Sequence, residues 1–392
     1  MKLSNIIIFF ISILLSITAL SQDLYFAGFS FIGDTTENDS YPVAVKLYES
    51  NPRLLNEKLN WSLKNLKRTD LTIIKDKEGL IKSGSAIALA YGLQKESVSV
   101  YFVDGKYNYQ IYVDGQIYAF DFSSSENKLI TNIPSGWSHV FTSQKKLSKE
   151  ELYKAIENIY IPNKNPGFSS PPSSVFDQWV SDLENAQISS AKKYTRLQVR
   201  NITLEDTVNS QISGSSEYMK NKKTLINETA RSFESYLSHY QKVPMLPFSL
   251  GQALGKNMIA RFADTTYSIK LPPPDFVVDI NVREFKKAYV DNKAYDGYIY
   301  GAFINLKLLQ PDLNNIKLDS KFNYKSEIQV PKSYNLKIED DWPIWMGAQK
   351  KLFEILTKQI SARDDKELAL ITNTPDIKDQ LKNMEEIIIS CR

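Results

Sequence analysis

The chain has 392 residues, with 48 Lys and Arg against 45 Asp and Glu, and 42% of it is apolar. So balanced a charge excludes a general binder of nucleic acid or anionic membrane, which carries a strong basic excess. The apolar share is ample for packed cores, and the length exceeds one typical domain, so two are expected.

The amino terminus reads as a secretory leader. Lys2 supplies the positive charge, and Ile6 to Leu20 form an uncharged apolar run broken only by Ser12, Ser16 and Thr18. The run ends in Ala19-Leu20-Ser21, with small residues where a signal peptidase reads them, which predicts a cut between Ser21 and Gln22. The stretch is shorter than the roughly 20 apolar residues of a stable membrane span. Losing residues 1–21 removes one Lys and no acid, leaving 47 basic residues against 45 acidic ones, a net charge of +2. No Cys follows the cut, so a lipid anchor is not expected. No later segment is apolar for long enough to cross a bilayer, so the mature chain is expected to be soluble, exported and either periplasmic or extracellular, in a bacterial envelope.

Leu24 to Ile32 is an aromatic-rich predicted strand. Pro52 stands where a first helical turn tolerates it, and Leu55, Leu59, Leu63 and Leu66 follow at helical spacing. Leu71 to Ile74 reads as a short strand and Ser85 to Leu93 as a second helix. Val98 to Val103, Lys106 to Val113 and Gln116 to Phe122 alternate, separated by Asp104-Gly105 and Asp114-Gly115. Asp-Gly favours the tight turn of a hairpin, which predicts a three-stranded meander. Glu150 to Ile159 reads as a helix closing a first domain over 22–160. Residues 161–174, rich in Pro and Ser, read as a linker.

The second domain, 175–392, is predicted to follow the same order. Tyr194 to Leu204 is a strand, and Ile226, Ala230, Phe233, Leu237 and Tyr240 form one helical stripe. Ser249 to Phe262 reads as a further helix. Phe276, Val278, Ile280 and Val282 share a strand face, with more strands at Tyr298 to Leu308 and Lys321 to Val330. A helix over Pro343 to Ile360, with Asp341 as its cap, and a last helix after Pro375 complete the chain. The expectation is an α+β fold of two similar domains, each with amphipathic helices on a mainly antiparallel sheet containing a meander. Strand, helix, helix, meander, helix occurs on both sides of the linker, as a tandem duplication would give.

The first half, with its meander ending IYVDGQIYAFDFSSSENKLI, resembles the periplasmic α/β module of curli-assembly, TolB amino-terminal and penicillin-binding-protein-activator proteins. Asp121 stands just before a turn, as an Asp does there, and DFVVDINVREF followed by YIYGAFINLKL has a similar cadence. Ser123-Ser124-Ser125 replaces the glycine-rich turn of that module, and the lipid-bearing Cys of the curli channel is missing. The resemblance implies a binding or assembly role in the envelope and no catalysis, and no family residue transfers to a position here.

Chemistry-bearing residues are few. The two histidines, His139 and His239, lie 100 positions apart and have no Cys partner, which does not suit a zinc site. No G-x-S-x-G elbow is present. Gly251, Gly255, Lys256 and Asn257 are spaced one residue short of a phosphate loop and read as a helix face. Asp275, Asp279 and Asn281 share one strand face, which suits either a paired-carboxylate site or the solvated side of a half-buried sheet. Cys391 is the only cysteine, so no intramolecular disulfide forms, and it is expected to be a frayed tail thiol. No catalytic residue, cofactor or metal is assigned. Tyr and Trp are enriched at binding surfaces, which marks Trp342, Tyr295 and Tyr298 as candidate partner contacts, while Trp345, in register with Leu352 and Leu356, is expected in the core. The function expected is a non-enzymatic binding or assembly factor for an envelope protein or cell-wall component, with a hydrolase using an unrecognised carboxylate or serine as the alternative.

Overall fold

The computed structural model describes residues 22–32, 40–74, 87–103, 105–121, 127–186, 188, 195–212, 219, 221–243, 245–248, 257–262, 266–270, 273–333, 338 and 340–391. Residues 1–21, the expected leader with Ser21 at its end, lie outside them, and Gln22 opens the first strand.

Two sheets are built to one plan. In the first, β1 (Gln22–Ile32) is followed by two helices, α1 (Pro42–Ser50) and α2 (Leu54–Ser62). A short edge strand, β2 (Leu71–Ile74), precedes the long strands β3 (Ile87–Val103), β4 (Lys106–Asp121) and β5 (Asn127–Ser143). In the second, β6 (Leu197–Leu204) is followed by α5 (Asp206–Ile212) and α6 (Lys222–Gln241). The meander is β9 (Phe276–Asp291), β10 (Tyr295–Gln310) and β11 (Asn315–Pro331). In each sheet the opening strand pairs in parallel with the first meander strand, β1 with β3 and β6 with β9, and the meander strands pair antiparallel with one another; β2 adds to β1 in parallel at the edge of the first sheet. A parallel pair requires a long crossover, and the helix pairs α1–α2 and α5–α6 supply it in the two halves. The α+β fold with two similar sheet-bearing parts is therefore as expected.

The middle of the first meander differs from the sequence expectation. Of Asp104-Gly105, Asp104 lies outside the described residues, and Gly105, with φ of +73°, stands between β3 and β4. Asp114-Gly115 makes no turn and lies within β4, which runs unbroken to Asp121. Gly115 is needed for close approach instead: a Cβ there would collide with the Trp179 indole and stand 2.9 Å from the Gly92 carbonyl oxygen. The helix expected over Ser85 to Leu93 begins outside the described residues, and from Ile87 on it is a strand, the first part of β3, whose Leu89, Tyr91 and Leu93 alternate into the core.

The first core lies between this sheet and four helices, α1, α2, α3 (Lys149–Tyr160) and α4 (Val175–Glu184). Residue 175 onward was expected in the second domain, yet Val175, Phe176, Trp179, Val180 and Leu183 of α4 are buried in the first core. The expected linker is accordingly a loop within that unit. Buried Asn158 on α3 holds it, donating through Nδ2 to the carbonyls of Asn165 (3.1 Å), Phe168 (3.4 Å) and Ser169 (3.1 Å) and accepting from Asn165 N–H at 2.7 Å. Both flanking helices start with reciprocal capping boxes, Ser148 with Glu151 and Ser174 with Asp177, which fixes where the chain re-enters helix.

The second half also reaches back into the first. The helix expected over Ser249 to Phe262 falls partly outside the described residues, and its remainder is a strand, β7 (Asn257–Phe262), in a hairpin with β8 (Thr266–Lys270). β8 pairs with β5, and β7 with the end of β1, so the first sheet closes on itself. The second core packs α6, α7 (Trp342–Ala362), α8 (Asp365–Ile371) and α9 (Ile377–Cys391) on one face of its four-stranded sheet, ordered β11-β10-β9-β6. Cys391 is no frayed thiol: it is fully buried in this core, and burial pushes its pKa up to about 12.

Candidate functional site

The carboxylates of the second sheet pair with their neighbours. Arg200 on β6 forms a two-pronged ion pair with Asp279, Thr203 donates to Asn281 at 3.0 Å, and Asn281 in turn donates to Glu205 at 2.6 Å. Asp275 accepts from the Arg196 N–H at 2.8 Å. These are cross-strand contacts on an outer sheet face, the solvated alternative anticipated for them.

The histidines occupy separate places. His139 on β5 lies between Trp137 and Phe141 in a ring stack, and its Nε2 is 2.7 Å from the Ser169 hydroxyl of the Asn158-held loop. Burial lowers its pKa, which favours the neutral imidazole. Among the described residues no carboxylate bonds its other ring nitrogen, so the Ser169 contact ties the loop to the sheet without completing a triad. His239, near the end of α6, lines a cleft of about 40 Å³ with Asp182, Ser238 and Lys242. Ligand pockets run to roughly 300–1,000 Å³, so this cleft suits a water molecule rather than a metabolite.

Between the two halves lies a buried polar cluster. Glu228 on α6, 4% exposed, bridges Lys95 of β3 at 3.0 Å and Lys350 of α7 at 3.2 Å, and the Lys350 ammonium stands 3.9 Å over the Tyr112 ring of β4. Asp114 lies beside these groups, with its pKa raised by burial against the pull of Lys350. Farther along α6, Glu234 is fully buried, accepts from Phe248 N–H at 2.8 Å, and has its pKa pushed up to about 8 by burial. The cluster joins elements of the two halves, β3 and β4 to α6 and α7.

An open aromatic pair lies at the distal end of the second sheet, around the β9–β10 turn. Tyr289 is 56% exposed, and its ring lies 5.3 Å from that of Tyr298 on the neighbouring strand. Its hydroxyl donates to Asp296 at 2.6 Å, and that bond raises its pKa to about 12. The Lys287 ammonium reaches over both Tyr298 (5.9 Å) and Tyr300 (5.4 Å) and is held by Asp341 at 2.7 Å. Tyr300 also donates to Asp341, at 2.7 Å. Asp341 therefore stands at the start of α7 where a capping residue was expected, but its side chain does not cap the helix. Lys332 closes the tip with Asp291 at 2.5 Å and Asp296 at 3.8 Å.

The three aromatic residues nominated as contacts are separated. Tyr298 belongs to this shelf. Tyr295 is an odd number of positions away on the same strand, so alternation turns it to the opposite face. Trp342 is 4% exposed, packed edge-to-face on Phe285 and Trp345 in the core, and does not reach the surface as a contact would. Trp345, expected in the core, is the more open of the two, with its indole N–H on the Lys286 carbonyl at 3.0 Å. The helix start places Trp342 inward because Phe285 of β9 lies directly beneath it, and that contact has no local sequence signal. Tyr289 was readable only as one of several tyrosines near a turn.

No family model matches the chain, and no curated protein is significantly similar to it. Among solved structures, the chain is similar to a minor lipoprotein from Acinetobacter baumannii, at 10% identity over 46% of this chain and 98% of that one, with a TM-score of 0.21. It is likewise similar to a Xanthomonas campestris protein of the DUF330 family, at 12% identity over 42% of this chain and 80% of that one, again with a TM-score of 0.21. Scores this low carry no argument about this chain's fold or role.

Proposed function

We propose that the chain is an exported accessory protein of the bacterial envelope that works by binding another envelope protein or a cell-wall component. The observation that carries binding is the shelf on the second sheet, where exposed Tyr289 lies over Tyr298 beside Lys287. Tyrosines bury much area at little entropic cost and keep a polar handle, and this pair stands on neighbouring strands of an antiparallel three-stranded ribbon. The leader supports export, since the residue after the expected cut is the first of β1.

Two measurements test the reading. Amino-terminal sequencing of the protein from an envelope fraction is expected to begin at Gln22; an intact leader on cytosolic protein overturns export. A photo-crosslinking residue in place of Tyr289 is expected to capture one defined envelope component, and Tyr298→Ala to weaken that component's affinity by about tenfold, the loss of roughly 1–2 kcal/mol usual for an interfacial aromatic. Equal capture from a crosslinker placed on the outer face near Asp279 overturns the shelf as the binding surface.

A further inference from the structure

β11 is an edge strand, and its outer edge divides into two parts. Backbone groups of successive residues alternate in direction, and since Asp319 N–H and the Lys321 carbonyl bond away from β10, the odd-numbered residues from 319 onward face outward and the even-numbered ones face β10. In the first part the outward groups are covered. Asp319 N–H donates to the Gln380 side chain of α9 at 3.0 Å, and the Lys321 carbonyl accepts from Thr372 at 2.8 Å. Beyond that point, among the described residues, no strand or helix pairs with the outward groups of Asn323, Lys325, Glu327 and Gln329. Lys325, Glu327 and Gln329 are exposed. A long open edge is a template for another strand unless something blunts it.

We propose that this edge pairs with the same edge of a second copy of the chain, antiparallel about a two-fold axis at Ser326. The segment Asn323 to Gln329, NYKSEIQ, is complementary to its own reverse. With Ser326 on the axis, Lys325 faces Glu327 of the partner subunit and Glu327 faces the partner's Lys325. On that same face Asn323 meets Gln329 of the partner subunit, amide against amide. On the other face Tyr324 meets the partner's Ile328. Each outward backbone group in the segment then finds an outward group opposite it, the requirement of an antiparallel ladder. Moving the axis by one residue sets Lys325 against the partner's Lys325, or Glu327 against the partner's Glu327, and like charges directly opposite destabilise a pair.

The ends of the segment fit the same register. Lys321 would face Pro331 of the partner subunit. The Lys321 carbonyl is already taken by Thr372, and a proline has no N–H to offer it. The two four-stranded sheets thereby join into one continuous sheet across the axis. One strand pair makes a limited contact, and the dimer is expected to have a dissociation constant on the order of 1 μM. It lies on the sheet carrying the tyrosine shelf but does not depend on what binds there.

The test uses the mature chain, residues 22–392. Sedimentation equilibrium is expected to show a monomer–dimer equilibrium in the micromolar range. Glu327→Lys, which sets two lysine charges opposite each other, is expected to weaken it at least tenfold, and the exchange Lys325→Glu with Glu327→Lys to restore it. Both positions are exposed, so unchanged thermal melts verify folding. Facing non-hydrogen-bonded residues have Cα atoms about 4.5 Å apart, within the roughly 4.4–6.8 Å of a disulfide. Ser326→Cys is therefore expected to give a disulfide-linked dimer on mild oxidation, while buried Cys391 stays reduced. A protein that remains monomeric at 100-fold higher concentration than about 1 μM, a charge exchange that fails to restore association, or a Ser326→Cys variant that crosslinks to a different protein would each overturn the proposal.

Discussion

Glu96 and Glu234 are two carboxyl groups buried for different reasons. Glu96 reaches from β3 to accept the Val43 and Ala44 N–H groups, both at 2.9 Å, and the Tyr160 hydroxyl at 2.7 Å. It thus serves the open amino terminus of α1, whose own Tyr41 gives no side-chain cap, and links that end to α3. Burial nevertheless raises its pKa to about 7. Glu234 has one oxygen on Phe248 N–H, while its other oxygen has no partner among the described residues, and its pKa is raised to about 8. Both folded values lie above the unfolded value of 4.5, so the folded chain holds protons that the unfolded chain releases. Their contribution to stability is full below pH 4.5 and is lost as pH rises through about 7 for Glu96 and about 8 for Glu234. For Glu234 the window corresponds to at most roughly 5 kcal/mol. Urea midpoints are therefore expected to fall between pH 5 and pH 8.5, and Glu234→Gln to remove the larger part of that slope. An equal slope in wild type and variant contradicts this assignment.

At the scale of elements, what decides strand against turn is what packs on the backbone. Asp114-Gly115 has the composition of a hairpin turn, yet Trp179 from α4, more than sixty positions later, lies flat against that glycine and stacks on Tyr91 at 5.6 Å. The Asp114 side chain meanwhile is drawn into the charged cluster with Lys350. Gly115→Ala is expected to cost about 2–4 kcal/mol, because a buried indole and a backbone carbonyl must both move; a chemical-denaturation midpoint measures it. Gly105→Ala, at a position with nothing within 4 Å of an added Cβ, meets only the strain of its positive φ and is expected to cost about 1 kcal/mol. Equal losses would remove the distinction between the two Asp-Gly pairs. The helix expected over 85–93 fails for a related reason: Ala88, Leu89, Ala90 and Leu93 are good helix formers, but β1 and β4 flank the segment on both sides, and pairing overrides propensity.

For the whole molecule, the two modules are coupled. α6 puts Leu225, Ala230, Phe233 and Leu237 into the second core, while Glu228 and Glu234 on its other side face the first sheet. The β7–β8 hairpin closes that sheet from the second half of the chain. Wild type is expected to unfold in one calorimetric transition. Glu228→Ala leaves Lys95 and Lys350 crowded without their shared carboxylate, a loss of about 3–5 kcal/mol for a buried pair, and is expected to split the transition in two; a single, merely shifted peak would show that the hairpin alone couples the halves. The sequence by itself determined the α+β class, the long meander strands after β9 and the buried stripe of α6, because each rests on local periodicity or a local turn. Only the tertiary structure decided that α4 and the Pro/Ser-rich loop belong to the first core, that Trp342 is buried and Tyr289 open, that Cys391 is enclosed, and that β7 and β8 cross to the other sheet. Each of those depends on a partner far away in the chain, and burial is fixed by what arrives from a distance, which no window of neighbouring residues encodes.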